Sequence, residues 1–320
     1  MATGKLERHL NLRFLKKNRT VIGVYLVLIV LFLFSSLMSD VFLTPRNVSN
    51  VLRQAVVLGF VSLGQTLVIL TAGIDLSVGS VISLTSCLTA GTILGRDSLA
   101  IPAVGLVLAL ALLIGFCNGF FITRTGVPSL IVTLGTMEII QGITLTYTDE
   151  PYGQISPNFG FLAWGQVGAI PFPVLLLAGS FALGIFVLRR RAFGRHIYAV
   201  GGNEEAARLS GIKTDRVKIY TYMICSFTAA LTGLLLAARM GIGDPRAGEP
   251  FMLECLVPVL IGGTSLMGGK GGLLGTIAGV FILTILNNIL NLMEVSGYWQ
   301  WVVQGVIIIG AVAFYVKERE

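Results

Sequence analysis

Long apolar runs recur from one end of this chain to the other. The first, Val21 to Met38, holds no charged residue. Others follow at roughly 51–71, 76–94, 99–122, 127–147, 171–188, 219–239, 252–268, 272–292 and 299–316. A hydrocarbon layer about 30 Å thick needs about 20 mainly apolar residues to be crossed by a helix. Inside that layer a backbone amide finds no water, so an apolar segment spans it as a helix. The ten runs predict an all-α polytopic membrane protein with about ten transmembrane helices. Composition agrees. Hydrophobic residues make up 54% of the 320, and charged residues only 12%, against about 25% in a typical soluble domain. That is too little polar surface to cover a water-soluble globule. A cytosolic enzyme, a DNA-binding protein and a disordered scaffold are excluded.

The basic residues then report topology. With the N-terminus in the cytoplasm and the spans alternating, 18 of the 23 Lys and Arg fall on the cytoplasmic side. They are Lys5, Arg8, Arg13, Lys16, Lys17, Arg19, Arg124, eight between Arg189 and Lys218, Lys270, Lys317 and Arg319. Arg46, Arg53, Arg96, Arg239 and Arg246 face outward. The division this predicts is a cytoplasmic basic arm over 1–20, one transmembrane domain over 21–316 and a cytoplasmic tail over 317–320. The first run is too long for a signal-peptide core, and Ser35 to Asp40 offers no good cleavage site, so it reads as an uncleaved anchor.

The loops limit the chemistry. The longest cytoplasmic one, 189–218, is about 30 residues, and the longest external one, Tyr147 to Ile170, about 23. Neither holds an independent domain. Any nucleotide-driven motor must be another chain. The stretch from Gly262 to Gly271 looks like a P-loop, but Thr264 stands where its first Gly belongs and Gly271 follows Lys270. Cys87, Cys117, Cys225 and Cys255 each lie in an apolar run without metal-ligand spacing and read as small hydrophobes. His9 and His196 sit beside basic clusters. No metal, cofactor or nucleic-acid site is predicted. No HExxH and no nucleophile with a nearby base suggest an enzyme.

Within the 189–218 loop, residues 203–211 read as a short helix. Asn203 is a good N-cap, Glu204 and Glu205 suit the positive end, and Gly211 is a C-cap stop. Ala206, Ala207 and Leu209 give it a small apolar face, the kind that docks into a partner's groove. A solvated connector, or a helix lying on anionic lipid through its arginines, fits the same pattern. A second feature is Ala72-Gly73-Ile74-Asp75-Leu76-Ser77-Val78-Gly79-Ser80. It is either an ordinary connection in which Asp75 or Ser77 caps the next helix, or a broken helix lining a cavity. The spacing Gly73-x-x-Leu76-x-x-Gly79 recurs as Gly263-x-x-Leu266-x-x-Gly269, a weak hint of a parallel repeat.

Polar residues inside runs face the bundle interior or water. They are Gln65, Asn118, Glu138, Gln141, Glu254, Asn287, Asn288, Asn291 and Gln304. Amides suit a neutral polyhydroxylated solute, or serve as interhelical glue. Gly115-x-x-x-Gly119, Gly271-x-x-x-Gly275 and Gly275-x-x-x-Gly279 allow close helix contact.

Three stretches, 70–80, 194–212 and 260–271, continuing through Asn287, Asn288 and Asn291, carry a family resemblance over about residues 45 to 315. The sequence resembles the permease subunits of bacterial ATP-binding-cassette importers for monosaccharides, the ribose-type group. The resemblance implies a multi-pass protein of the bacterial inner membrane with both termini cytoplasmic. Its implied fold is a type II importer bundle like the ten-helix cobalamin permease. Implied partners are a second permease copy, identical or paralogous, a cytoplasmic ATPase subunit or fused double ATPase, and a periplasmic sugar-binding protein, with membrane lipid around them. The 203–211 helix resembles the family's coupling helix, which implicates Gly202, Asn203, Glu204, Glu205, Ala206, Ala207, Leu209 and Gly211. Asp75, Ser77, Asn118, Glu138, Glu254, Asn287 and Asn288 are the expected pathway residues. The function expected is import of ribose or a related sugar, with ATP hydrolysed on the partner chain. A secondary carrier or facilitator for small polar solutes is the alternative.

Overall fold

The computed structural model describes residues 19–317. The predicted tail beyond Lys317 and the arm before Arg19 lie outside the described residues. The elements in chain order are α1 (Arg19–Met38), α2 (Pro45–Leu70), α3 (Val78–Ile93), α4 (Ala100–Thr125) and α5 (Ser129–Tyr147). A short turn α6 (Phe161–Trp164) and a two-stranded hairpin, β1 (Gln166–Val167) and β2 (Ile170–Pro171), come next. Then follow α7 (Phe172–Arg190), α8 (Ala192–Gly202), α9 (Glu204–Leu209), α10 (Thr214–Met240), α11 (Phe251–Glu254), α12 (Leu256–Ile261), α13 (Leu273–Leu292) and α14 (Gly297–Lys317). The architecture is all-α, as the apolar runs require. Among the described residues seven helices are long and apolar enough to cross a membrane: α1, α2, α4 with its lead-in turn, α5, α7, α10 and α13. Val78–Ile93 and Phe251–Ile261 are shorter apolar helical segments.

Helices α2 and α10 form the centre. The most apolar window of α2 is 89% buried and that of α10 78%, against 11% for α1 and 17% for α5. A helix apolar all round belongs in the interior, or faces an apolar surrounding on its outer side; here α1 and α5 lie on the outside of the bundle. Small residues set the spacing. A methyl on Gly119 of α4 would lie 2.5 Å from the Ile219 Cα of α10, and one on Gly275 of α13 would lie 1.8 Å from the Gly262 carbonyl oxygen. The Gly-x-x-x-Gly pairs thus hold helix against helix, as their spacing predicts.

One predicted span is broken. The run at 252–268 is no continuous helix. Residues 241–250 descend along α3 without helical structure, where Asp244 N–H donates to Ser86 Oγ (3.4 Å) and Gly248 N–H to Ser83 Oγ (3.0 Å). The short α11 and α12 follow, and then a loop with left-handed Gly263, Gly268 and Gly269. Hydropathy counts apolar residues whether or not they are wound, which is why the sequence reads as one span. Similarly, α3 starts at Val78, and 71–77 is irregular although Asp75 and Ser77 are fully buried. Irregular backbone is tolerated at such depth where protein encloses it. The two Gly-x-x-Leu-x-x-Gly stretches differ in shape: Gly263 and Gly269 have positive φ, while in 70–80 the positive φ falls on Ala72.

The segment 148–170 is tied down at both ends. Tyr152 and Gly243 exchange backbone hydrogen bonds of 2.8 and 3.0 Å. The buried Arg53 guanidinium donates to the Ala163 and Trp164 carbonyls and stacks over the Trp164 ring at 5.1 Å.

Candidate functional site: a junction of three glycine-rich segments

The three stretches that carry the family resemblance meet at one place. Leu70 closes α2, and its carbonyl accepts a 3.0 Å bond from Gly269 N–H. Gly201, near the end of α8, lies against both: a methyl there would fall 1.8 Å from the Leu70 oxygen and 2.6 Å from the Gly269 nitrogen. Tyr198, a turn earlier, donates its hydroxyl to the Gly271 carbonyl (2.9 Å). Burial pushes the Tyr198 phenol above its ordinary value, so it stays a neutral donor. The glycine loop at 262–272 therefore spends its amides on this chain, which agrees with the broken P-loop motif.

Helix α8 was not predicted. Its buried side, Gly194, Ile197, Val200 and Gly201, repeats every three or four residues as an amphipathic helix does. That signal was present but masked by the surrounding arginines. Helix α9 takes the predicted form. Asn203 Oδ1 accepts from Ala206 N–H (2.9 Å), and Gly211 ends the turn with φ +82°. Its charges fasten it to the start of α10. Glu204 pairs with Lys218, and Arg208 lies 3.5 Å from Glu204 and 3.2 Å from Asp215. Exposed pairs are each worth only about 0.2–1 kcal/mol, but as a network they fix the helix relative to α10. The apolar face is smaller than the sequence suggested. Ala207 is 5% exposed and packs inward, whereas Leu209 is 84% exposed. Two positions on a helix of 3.6 residues per turn are about 200° apart, so 207 and 209 cannot share a face. Gly202, Asn203, Glu205 and Ala206 are exposed, and Glu204 is half-buried in its ion pairs.

From the junction a polar chain runs inward. Asp75 Oδ1 accepts from Ser77 N–H (2.9 Å) and Ser77 Oγ (2.6 Å). Asn118 Nδ2 donates to Ser77 Oγ (3.0 Å), and Thr136 Oγ1 donates to Asn118 Oδ1 (2.6 Å). With its amide turned to match, Gln65 bonds both backbone groups of Asp75 at 3.2 Å. Ile74 N–H reaches Ser129 Oγ (3.1 Å), and Leu76 N–H reaches Thr133 Oγ1 (3.2 Å). The segment is thus strapped to α2, α4 and α5. Asp75 closes a tight turn onto Ser77 and is fully buried; its Oδ2 has no hydrogen-bond partner among the described residues. Asp75→Ala should lower the unfolding free energy by about 2 kcal/mol, because it orphans buried Ser77 donors. Asp75→Asn keeps an acceptor at Oδ1 and should lose less than half of that. Thermal unfolding in detergent checks both.

The remaining predicted residues lie elsewhere. Asn288 exchanges two hydrogen bonds with Asn47, at 2.8 and 3.0 Å, and so joins α13 to α2 as interhelical glue. Glu254 and Asn287 both accept from Gln304 Nε2, at 3.1 and 3.4 Å. Glu138, the tenth of nineteen residues in α5, is exposed on the outer side of the bundle.

A bundle of apolar helices, irregular segments strapped by polar side chains, and a short helix held at one junction are the features of a polytopic membrane protein. The chain belongs to the branched-chain amino acid transport system / permease component family, whose sequence model matches residues 47–312. It is 41% identical over 297 residues to the ribose import permease protein RbsC of Bacillus subtilis, covering 91% of each chain. It is 39% identical to RbsC of Escherichia coli K12, over 92% of this chain and 93% of that one. The xylose transport system permease protein XylH of the same strain is 33% identical, over 92% and 91%. No solved structure matches the chain. It is a multi-pass inner-membrane protein and a transport subunit.

Proposed function

We propose that this chain is the transmembrane subunit of an ATP-binding-cassette importer that moves a monosaccharide, ribose or a related sugar, from periplasm to cytoplasm. The relatives transport ribose or xylose by their names, and a neutral, polyhydroxylated solute suits the buried amides. The observation that carries the mechanism is the fastening of α9. It presents Leu209 outward while its ion pairs bind it to α10, the central helix. A partner gripping α9 would move α10 with it. The ATPase subunits, single or fused, hydrolyse ATP in this reading, and a periplasmic sugar-binding protein delivers the solute to the 148–170 face. The exposed coupling set is Gly202, Asn203, Glu205, Ala206 and Leu209, with Glu204, Ala207 and Gly211 holding its shape.

The bundle is read as a type II importer of the cobalamin-permease kind with about ten crossings. The broken segments at 71–93 and 241–261 count as spans, α14 is the last, and both termini are cytoplasmic. Two copies, identical or paralogous, form the pore. An ionisable side chain at mid-span is expensive against lipid and faces a partner or water instead. Glu138 therefore marks α5 as a side turned to the second copy, and the Glu254, Asn287 and Gln304 cluster is the other polar group reachable from it. Asp75, Ser77 and Asn118 act as positioning residues behind this path.

The test is reconstitution. Proteoliposomes holding the permease, its ATPase and the binding protein should accumulate labelled sugar only with ATP. Accumulation by the permease alone under an ion gradient would instead establish the carrier reading.

A further inference from the structure

We propose that the groove between α4 and α7 holds the acyl chain of a phospholipid, with Arg239 taking its phosphate. The groove has a volume of about 400 Å³. Phe60 of α2 and Leu231, Leu234 and Leu235 of α10 floor it, and Val104 and Leu176 wall it. The segment from Asn158 to Leu162 closes it at one end. Its walls are helices long enough to cross the membrane, so its open side faces the hydrocarbon of one leaflet, the one on the side of the 148–170 segment. A cavity so lined admits a chain rather than a sugar.

Charge identifies the occupant at the closed end. Arg239 follows Leu235 by one helical turn, and Arg53 precedes Phe60 by two, so both residues continue the faces that floor the groove, beyond its lining. Arg53 is consumed by the Ala163 and Trp164 carbonyls. Arg239 is half-buried and has neither a carboxylate nor a hydrogen-bond partner among the described residues. A half-buried guanidinium without a carboxylate partner, one helical turn beyond an apolar slot of acyl-chain dimensions, is complementary to a phosphodiester with a hydrocarbon tail. The exposed Trp164 and Phe161 at the same level suit the headgroup zone, where aromatic residues collect.

Trp164 reports on the site. The full-length permease would carry Trp299→Phe and Trp301→Phe, leaving one tryptophan, in nanodiscs of phosphatidylcholine with rising fractions of phosphatidylglycerol brominated on its chains. Quenching of Trp164 should saturate at a low mole fraction. Arg239→Gln should raise the half-quenching fraction about fivefold, the effect of one basic residue at an anionic lipid surface. Arg239→Lys should restore most of it, and Arg246→Gln, an exposed arginine away from the groove, should change little. Ser180→Phe, which fills the groove from α7, should abolish the saturable part with the protein still monodisperse. Quenching that rises linearly with mole fraction, and equally in all variants, would overturn the proposal. So would equal loss in Arg239→Gln and Arg246→Gln, since that reports only bulk charge.

Discussion

Leu209→Arg should abolish ATP-driven uptake, at least about tenfold, while leaving the permease folded and inserted. Leu209 is 84% exposed at the end of a helix whose cap and ion pairs are all made by other residues. Nothing in this chain loses a contact when it is replaced. Burying a leucine in a partner's groove contributes roughly 1.5–3 kcal/mol, and an arginine in its place must also be stripped of water. Since each 1.4 kcal/mol is about a factor of ten, the docked state should fall below use. Uptake into vesicles, ATPase co-purification and permease abundance on immunoblots together check this. Ala207→Arg is the informative contrast. Ala207 is 5% exposed and sits in the packed cluster with Val200 and Val217. It should reduce abundance and melting temperature, and its loss of uptake should follow abundance. If Leu209→Arg transports normally with its ATPase, α9 is not the coupling element.

Much of this was legible in the residues, and what was not has identifiable causes. Span-forming segments announce themselves because lipid admits few backbone solutions. Helix α9 was legible because Asn203 and Gly211 are conformational signals that act locally. What failed were judgements that depend on a neighbour. Whether Ala207 or Leu209 faces outward is decided by where α10 lies, and the sequence of six residues holds no record of it. The break in 252–268 is similar: Pro258 and the glycines at 262 and 263 permit it, but the serines of α3 that receive the unwound amides of the preceding 241–250 segment are 158 and 165 residues away. Asp75 was weighed both as a cap and as a cavity wall; its side chain is buried and accepts from Ser77, with Gln65 bonding its backbone and Asn118 bonding Ser77. Asn288 pairs with Asn47, a match between amides that neither residue's own surroundings foretell.

The second large effect is expected from one methyl group. Gly201→Ala should destabilise the permease by about 3 kcal/mol, the upper part of the usual overpacking range, and with it abolish transport. The added carbon would lie 1.8 Å from the Leu70 carbonyl oxygen and 2.6 Å from the Gly269 nitrogen. Both are backbone atoms, joined to each other by a 3.0 Å hydrogen bond, so neither can swing aside as a flexible side chain would. Relief requires that α8 lift from the end of α2 or that the 262–272 loop retreat. Either opens the junction through which α9 is held to the bundle. A net stability of only about 5–15 kcal/mol makes such a loss visible. Gly202→Ala is the matched control one residue on. A methyl there meets nothing within 4 Å, and alanine is the better helix former by about 1 kcal/mol, so it should be neutral or slightly stabilising. Thermal unfolding of the two variants in the same detergent, with uptake normalised to inserted protein, separates the outcomes. Equal melting temperatures for Gly201→Ala and Gly202→Ala would mean that the three segments do not close on one another as described. A stable Gly201→Ala that no longer transports would place the junction's role in motion rather than in folding.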